Sequence, residues 1–125
     1  MGGRSMSTVQ SKSKGKAGEA EAEQYLRRQG FRILQKNYYY DRGEIDLVAE
    51  DGDVLVFVEV KARSSGSHGT AEESITPEKE NFLKRTAEGY LLEHQIEQRR
   101  CRFDLVAVEW HASKPVIRHI RDMFA

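Results

Sequence analysis

A short stretch at residues 43–63, with the sequence GEIDLVAEDGDVLVFVEVKAR, contains the side chains of this protein best suited to chemistry. Its alternation of apolar and polar residues predicts a β-hairpin with carboxylates and a lysine on one otherwise apolar face. These side chains belong to Glu44, Asp46, Glu59 and Lys61. Burying so much charge is costly unless a cation or a substrate compensates it. The combination indicates a divalent metal and phosphodiester chemistry.

The register of the hairpin follows from a turn placed at residues 51–52, because Gly tolerates a positive φ and Asp tolerates a left-handed backbone. Counting back from that turn places Asp46 opposite Phe57. Glu44 then lies opposite Glu59. Asp46 and Glu59 become diagonal neighbours, with α-carbons roughly 7–8 Å apart. Two carboxylates at that separation can share an ion bound at about 2.0–2.1 Å, the distance typical of magnesium.

A solvated sheet edge is the alternative interpretation, since exposed strand faces often carry pairs such as Glu59 and Lys61. The strand at residues 54–60 is apolar on both faces, however, which favours a central strand covered on both sides. Glu44 opposite Glu59 would also be repulsive without a counterion. Both observations favour a buried, ion-binding site.

Two motifs in the hairpin carry a family resemblance, namely GEIDL at residues 43–47 and VEVKAR at residues 58–63. They resemble the YraN-like family of small bacterial proteins. That family is similar to the PD-(D/E)xK nuclease superfamily, especially to archaeal Holliday-junction resolvases. The resemblance covers residues 18–120 and implies a restriction-endonuclease-like core.

The resemblance also implies the activity of a metal-dependent endonuclease that hydrolyses phosphodiester bonds of branched or damaged DNA with Mg²⁺ or Mn²⁺. Asp46 matches the superfamily Asp, Glu59 and Lys61 match its Glu-x-Lys, and Glu19 matches its helix Glu. The expected metal ligands are Asp46, Glu59 and the backbone carbonyl of Val60. Lys61 is expected to orient or deprotonate the attacking water. Glu19 is expected to hold a metal-bound water or a second metal.

Further residues are predicted around this site. Arg63 is expected to contact a phosphate just outside it, and Glu44 is an additional candidate within it. Lys79 is expected to reach a phosphate or the carboxylates, with a solvated side chain as the alternative. Tyr39 stands where related proteins usually have an arginine, which removes one expected phosphate contact. His68, in a loop rich in Gly and Ser, is either a proton donor or simply solvated.

The elements that position these residues follow the order helix, three strands, helix, two strands. This order predicts an α/β domain with a mixed five-stranded sheet flanked by helices, because a helical connection permits a parallel crossover. The helices are predicted at residues 17–29 and 77–95, and the strands at residues 31–37, 45–49, 54–60, 102–109 and 115–120.

The first predicted helix has an apolar stripe formed by Ala22, Tyr25 and Leu26. Glu19 flanks this stripe, so it is the acid of the helix best placed to face the sheet. The alternative is a first-turn glutamate that is favoured only by the helix dipole.

Composition limits the remaining possibilities. The chain has 125 residues with 20 basic and 20 acidic side chains, which fits one domain of zero net charge. Basic residues and glycines predict a flexible basic tail at residues 1–16, followed by the domain at residues 17–125. No long apolar run or signal peptide is present, so we expect a soluble, cytoplasmic protein without a membrane partner. The single cysteine, Cys101, excludes an intrachain disulfide.

Two other classes of function stay open. The first is a nucleic-acid-binding module that has the same fold but no catalytic activity. The second is a protein-interaction domain in which the carboxylates form a solvated patch. A homodimer is expected only by analogy with resolvases, in which two sites cut two strands. Asp104, on the fourth predicted strand, is expected to serve structure rather than metal binding.

Overall fold

The computed structural model describes residues 2–64, 66 and 69–124, and the side chains among them from residue 15 onward. His68 lies outside the described residues, so its role stays a prediction. The elements in chain order are α1 (Gly2–Arg28), β1 (Arg32–Tyr40), β2 (Gly43–Asp51), β3 (Val54–Ser64), a 3₁₀ helix (Glu72–Ser74), α2 (Pro77–Glu93), β4 (Cys101–His111) and β5 (Lys114–Ile120).

The five strands form one mixed sheet in the order β1-β2-β3-β4-β5. β3 and β4 are parallel, and the other neighbouring pairs are antiparallel. α2 lies in the chain between β3 and β4. It provides the long crossover connection that two parallel neighbouring strands need. The predicted α/β class and mixed five-stranded sheet are therefore confirmed.

β3 lies at the centre of the sheet and is covered on both faces, as its apolar residues predicted. Phe57 packs on one face with Tyr90 of α2. Val58 packs on the other face with Leu26 of α1. Burial of each such side chain contributes about 1.5–3 kcal/mol, so this two-sided core fixes β3 and the polar residues at its end.

The turn between β2 and β3 differs from the predicted one. Asp51 pairs with Val54, so the turn consists of Gly52 and Asp53 rather than residues 51–52. Gly52 has a φ of 62°. A glycine with positive φ at the first turn position is typical of a type II′ turn, which suits the twist of a hairpin.

The different turn changes the register. The predicted pairs of Asp46 with Phe57 and of Glu44 with Glu59 are wrong, because β3 is offset by two residues from the position that they require. An offset of two residues is one full side-chain period, so the offset by itself moves no β3 side chain to the other face of the sheet. Glu59 and Lys61 therefore remain on the face predicted for them.

The two helices differ in how well their ends were predicted. α2 begins at Pro77 as expected, since the Thr76 side chain caps it by accepting a hydrogen bond from the Lys79 amide. α1 begins at Gly2, so the predicted start at residue 17 is too late. Extending a helix that is already nucleated costs little per residue, and residues 2–16 contain no proline to stop it.

The division into a tail at residues 1–16 and a domain at residues 17–125 stays a prediction, as does the cytoplasmic location. Within the described part of the chain, neither helix has an apolar stretch that could cross a bilayer.

Candidate functional site

The alternation of side chains breaks in the middle of the β1–β2 pair, near Asn37 and Asp46. Asn37 has a φ of 53°, in the left-handed region that Asn tolerates better than most residues. On β2, Ile45 packs on the α2 side of the sheet, whereas Leu47 packs on the α1 side. Asp46 therefore lies between residues that point to opposite faces.

Asn37 joins two carboxylates that come from different elements. Its Nδ2 donates hydrogen bonds to Oε1 of Glu19 at 3.0 Å and to Oε2 of Glu44 at 3.1 Å. α1 thus brings Glu19 to Asn37 of β1, on the sheet side of the helix that its apolar stripe predicted. Asn37 was not among the predicted site residues, although an asparagine inside a strand is an available signal, because Asn is depleted in strands and enriched in left-handed backbone.

Asp46 is the most perturbed acid of the site. Its Oδ2 accepts a hydrogen bond from the Val60 amide at 2.7 Å. Burial, and after it the charge of Glu59, raise the pKa of Asp46 from 3.8 to about 8, although the Val60 amide acts to lower it. Glu19 and Glu44 raise it further. The site therefore gathers more negative charge than its own hydrogen bonds compensate.

Glu59 is buried on β3, with 5% of its surface exposed, and two lysines approach it. Nζ of Lys61 lies 3.6 Å from its Oε2, and Nζ of Lys79 lies 3.4 Å from the same atom. The two lysine side chains are 32% and 38% exposed. Their ammonium groups can therefore reach an incoming phosphate while they neutralise Glu59.

Arg63 and Tyr39 lie beside this group of charges rather than within it. Nη1 of Arg63 donates to the Gly69 carbonyl at 2.9 Å, which connects β3 to the loop that follows it. The exposed Tyr39 lies near Glu44, whose charge and hydrogen bond raise the pKa of the phenol. The substitution of tyrosine for the expected arginine thus places a hydrogen-bonding group at this position instead of a cation.

We call this group of charges the carboxylate cluster, and it consists of Glu19, Glu44, Asp46, Glu59, Lys61 and Lys79. It contains all four residues predicted as catalytic. Among the described residues, no three Asp, Glu, His or Cys side chains already stand in an arrangement that would hold a metal ion. One Asp46 oxygen is hydrogen-bonded to an amide, and one Glu59 oxygen is paired with the lysines. The predicted metal ligands are therefore together, and their use as ligands remains a proposal.

The close approach of α1 to the cluster depends on Gly18. A Cβ atom on Gly18 would lie 2.5 Å from Cβ of Ala62 on β3, so α1 would have to move. We expect Gly18→Ala to lower the free energy of unfolding by about 1–3 kcal/mol through overpacking. Gly15→Ala is the matched control, since a Cβ there has no atom within 4 Å. It should stabilise the helix by about 0.5–1 kcal/mol.

Urea denaturation of the two variants measures both effects. Equal stabilities of Gly18→Ala and Gly15→Ala would contradict the close contact between α1 and β3.

The fold and the site together define a small α/β domain with acidic and basic side chains gathered from α1, β2, β3 and α2. Residues 18–108 match the profile of the "Uncharacterised protein family UPF0102". The chain belongs to this family, which confirms the YraN-like resemblance of its two motifs.

Similar proteins come from several bacteria. The UPF0102 protein of Anaeromyxobacter dehalogenans (strain 2CP-C) is 43% identical over 110 residues, which cover 88% of this chain and 82% of that protein. The UPF0102 protein of Pelotomaculum thermopropionicum is 49% identical over 94 residues, covering 75% and 78%. That of Dehalococcoides mccartyi is 38% identical over 111 residues, covering 89% and 92%.

Proposed function

We propose that this protein is a metal-dependent endonuclease that hydrolyses phosphodiester bonds in branched or damaged DNA. The observation that carries the proposal is the raised pKa of Asp46, caused by burial beside Glu59, with two lysines at the edge of the same site. Such an arrangement costs folding free energy, and perturbed groups of this kind concentrate at functional sites. A bound cation would compensate the charge of the carboxylates, and a phosphate would compensate that of the lysines.

The donor set fits a hard divalent cation. Four carboxylates lie close enough for three of them to act on the pKa of the fourth, Asp46. Oxygen ligands of this kind favour Mg²⁺ or Mn²⁺ over softer metals. Asp46, Glu59 and the Val60 carbonyl would hold the ion, which supplies Lewis acidity and lowers the pKa of a bound water.

The remaining residues have roles that follow from their positions. Lys61 lies beside Glu59 and would orient the attacking water and donate a hydrogen bond to the phosphoryl oxygen on which negative charge develops. Glu19 and Glu44, fixed by Asn37, would position water molecules on the α1 side. Lys79 can leave Glu59 for a phosphate, and Arg63 would contact the DNA backbone farther along β3.

Cleavage assays test the proposal. We expect Asp46→Asn and Lys61→Ala each to lower Mg²⁺-dependent cleavage of a nicked or four-way-junction DNA by about a thousandfold or more, since each removes a group that acts on the reacting atoms. Matched controls are Asp53→Asn in the β2–β3 turn and Lys114→Ala at the start of β5, both exposed and far from the cluster in the sheet.

The controls should cleave at the wild-type rate. Cleavage that persists in both Asp46→Asn and Lys61→Ala would refute the assignment of the carboxylate cluster as the active site.

A second candidate function is a nucleic-acid-binding module without catalysis. It is favoured by the pairing of Glu59 with Lys61 and Lys79, which compensates part of the buried charge without any metal. This alternative predicts DNA binding that is unaffected by Mg²⁺, and no cleavage of any DNA substrate. A homodimer that acts on two strands stays a prediction from the family resemblance.

A further inference from the structure

A cavity of about 290 Å³ lies next to the carboxylate cluster, between the β1–β2 turn and α2. Arg42 and Gly43 line it from the turn, and Phe82 and Arg85 line it from α2. Gly43 is followed directly by Glu44 of the cluster. Consecutive residues of β2 therefore belong to the cavity lining and to the cluster.

The same two regions are also connected along α2. Lys79, Phe82 and Arg85 are spaced three residues apart, which places them on one side of the helix. Lys79 contacts Glu59 in the cluster, whereas Phe82 and Arg85 line the cavity. A ligand chain that passes the carboxylate cluster can continue along this side of α2 into the cavity.

The two arginines of the cavity are available to a ligand. Arg42 and Arg85 are exposed, and neither forms an ion pair with a carboxylate in the part of the chain that the structure describes. Six other arginines do form such pairs, namely Arg27, Arg32, Arg99, Arg102, Arg118 and Arg121. Asp41 also lines the cavity, which leaves an excess of one positive charge. Exposed guanidinium groups that are not paired with a carboxylate bind phosphate well, because their planar donors match its oxygens.

Phe82 provides an apolar surface beside these charges. It is 40% exposed, although it is a large hydrophobic residue. The guanidinium carbon of Arg85 lies 5.8 Å from the centre of the Phe82 ring. An exposed aromatic ring next to a cation is the combination on which single-stranded nucleic acids stack their bases.

We propose that this cavity binds one unpaired nucleotide of a DNA strand whose cleaved phosphate lies at the carboxylate cluster. Arg42 and Arg85 hold the phosphate of that nucleotide, and its base stacks on Phe82. A base inside a duplex is already stacked on its neighbours and cannot occupy this position. The substrate class is therefore DNA with unpaired nucleotides beside the cut, such as a flap. This inference rests on the proposed function, since it takes the cluster as the reacting centre.

Binding measurements without metal test the stacking contact. Fluorescence anisotropy in EDTA compares a labelled single-stranded oligonucleotide with a blunt duplex of the same sequence. We expect Phe82→Leu to weaken single-strand binding about tenfold, in the range typical of one lost base–aromatic stack, and to leave duplex binding unchanged. Phe82→Tyr keeps the ring and should retain the wild-type affinity.

The phosphate contact is tested with the double variant Arg42→Gln/Arg85→Gln. We expect it to weaken single-strand binding about tenfold or more and to reduce the slope of log K against log salt by roughly 0.7, because both arginines contact the same phosphate. The double variant Arg28→Gln/Arg100→Gln is the matched control, because both residues are exposed and lie outside the cavity lining. It should lower the affinity by less than twofold.

The proposal is overturned if the wild-type protein does not bind single-stranded DNA, if Phe82→Leu weakens both DNA forms equally, or if the two double variants behave alike. The assay contains no metal, so its result does not depend on cleavage. If the protein cleaves no DNA but its binding to single-stranded DNA depends on Phe82, the cavity belongs to a non-catalytic DNA-binding protein. Asp46-dependent cleavage with an unchanged KM for flap DNA in Phe82→Leu would refute the cavity proposal and leave the nuclease proposal standing.

Discussion

Without divalent metal at about pH 8, the Asp46→Asn protein should unfold at a higher temperature than the wild type, although the substitution removes a proposed metal ligand. The reason is the charge that Asp46 carries in a half-buried position next to Glu59. An asparagine keeps the shape of the side chain and can still accept the Val60 amide hydrogen bond. It does so without the electrostatic cost.

The pH dependence of this effect has a definite sign. The ordinary pKa of an Asp carboxyl is 3.8, and burial together with the Glu59 charge raises that of Asp46 to about 8. Between these values the folded protein binds more protons than the unfolded chain, so the free energy of unfolding falls as pH rises from about 4 to about 8. The loss is on the order of 3 kcal/mol once partial exposure to solvent is allowed for.

Adding Mn²⁺ should reverse the order of the two proteins. The ion would compensate the carboxylates of the wild type, and at a concentration a thousand times Kd it would stabilise the folded state by about 4.1 kcal/mol, which exceeds the electrostatic loss. Asp46→Asn should gain little, because it has lost a charged ligand. Thermal unfolding at about pH 5 and about pH 8.5, with EDTA or Mn²⁺, measures both effects. Isothermal titration of Mn²⁺ into both proteins measures the binding itself.

Asp53→Asn is the control, since it makes the same chemical change on an exposed turn residue. It should follow the wild type under all four conditions. If Asp46→Asn and the wild type show the same pH dependence in EDTA, the Asp46 carboxylate does not carry the electrostatic cost assigned to it. If Mn²⁺ stabilises both proteins equally, the metal site lies elsewhere.

The two buried faces of β3 could be predicted from local sequence. Residues 54–60 are apolar at every position except Glu59, which identifies a strand buried on both faces. Side-chain alternation then places Glu59 and Lys61 together whatever the exact register. That is why an error of two residues in the hairpin left the central part of the site intact.

The geometry of Asp46 could not be predicted, because it depends on an irregularity outside the hairpin. The left-handed backbone at Asn37 lies on β1, and its consequence is a change of side-chain direction on β2. Regular alternation cannot represent such a break. The Asn37 hydrogen bonds to Glu19 and Glu44 depend on the packing of α1, and this tertiary contact has no local sequence signature.

Lys79 illustrates a different limit. Its position at the start of α2 was predictable from the Thr76 cap and Pro77. Its partner was not, because contact with Glu59 depends on how α2 lies across the sheet. The sequence could therefore offer only a choice between a phosphate, the carboxylates and solvent.

Another acid, Asp104, has a pKa shifted in the opposite direction to that of Asp46. It is fully buried on β4 and is surrounded by donors. Arg102 donates from Nε to Oδ1 at 2.8 Å and from Nη2 to Oδ2 at 3.0 Å, and the Asp122 amide donates to Oδ1 at 3.0 Å. His119 Nε2 lies 2.8 Å from Oδ2. Asp104 therefore connects β4, β5 and the C-terminal segment, in accordance with the structural role expected for it.

The pKa of Asp104 reflects these contacts. Burial acts to raise it, but the hydrogen bonds from His119, Arg102 and the Asp122 amide outweigh burial and lower the pKa below its ordinary value of 3.8. A lowered pKa in the folded state means that the contribution to stability is present above the unfolded pKa. It is lost as the pH falls through the folded pKa, so this acid supports the fold at neutral pH.

We expect Asp104→Ala to lower the free energy of unfolding by about 3–5 kcal/mol at neutral pH, because it leaves Arg102 and His119 without their shared carboxylate in a buried place. The Nδ1 atom of His119 is 3.2 Å from the Tyr25 hydroxyl, so the loss should extend to the packing of α1 on β5. For a domain of ordinary stability, 5–15 kcal/mol, this is a large fraction of the total. Urea denaturation followed by circular dichroism measures the change.

Asp122→Asn is the matched control, because that residue contributes its backbone amide to Asp104 while its side chain is exposed, and asparagine tolerates its positive φ of 55°. It should change stability by less than about 0.5 kcal/mol, as is usual for surface substitutions. The difference between the two variants should shrink at low pH, where the Asp104 carboxylate of the control is protonated and no longer pairs with Arg102. A loss below about 1 kcal/mol in Asp104→Ala would mean that water replaces the carboxylate, and that the C-terminal segment does not depend on it.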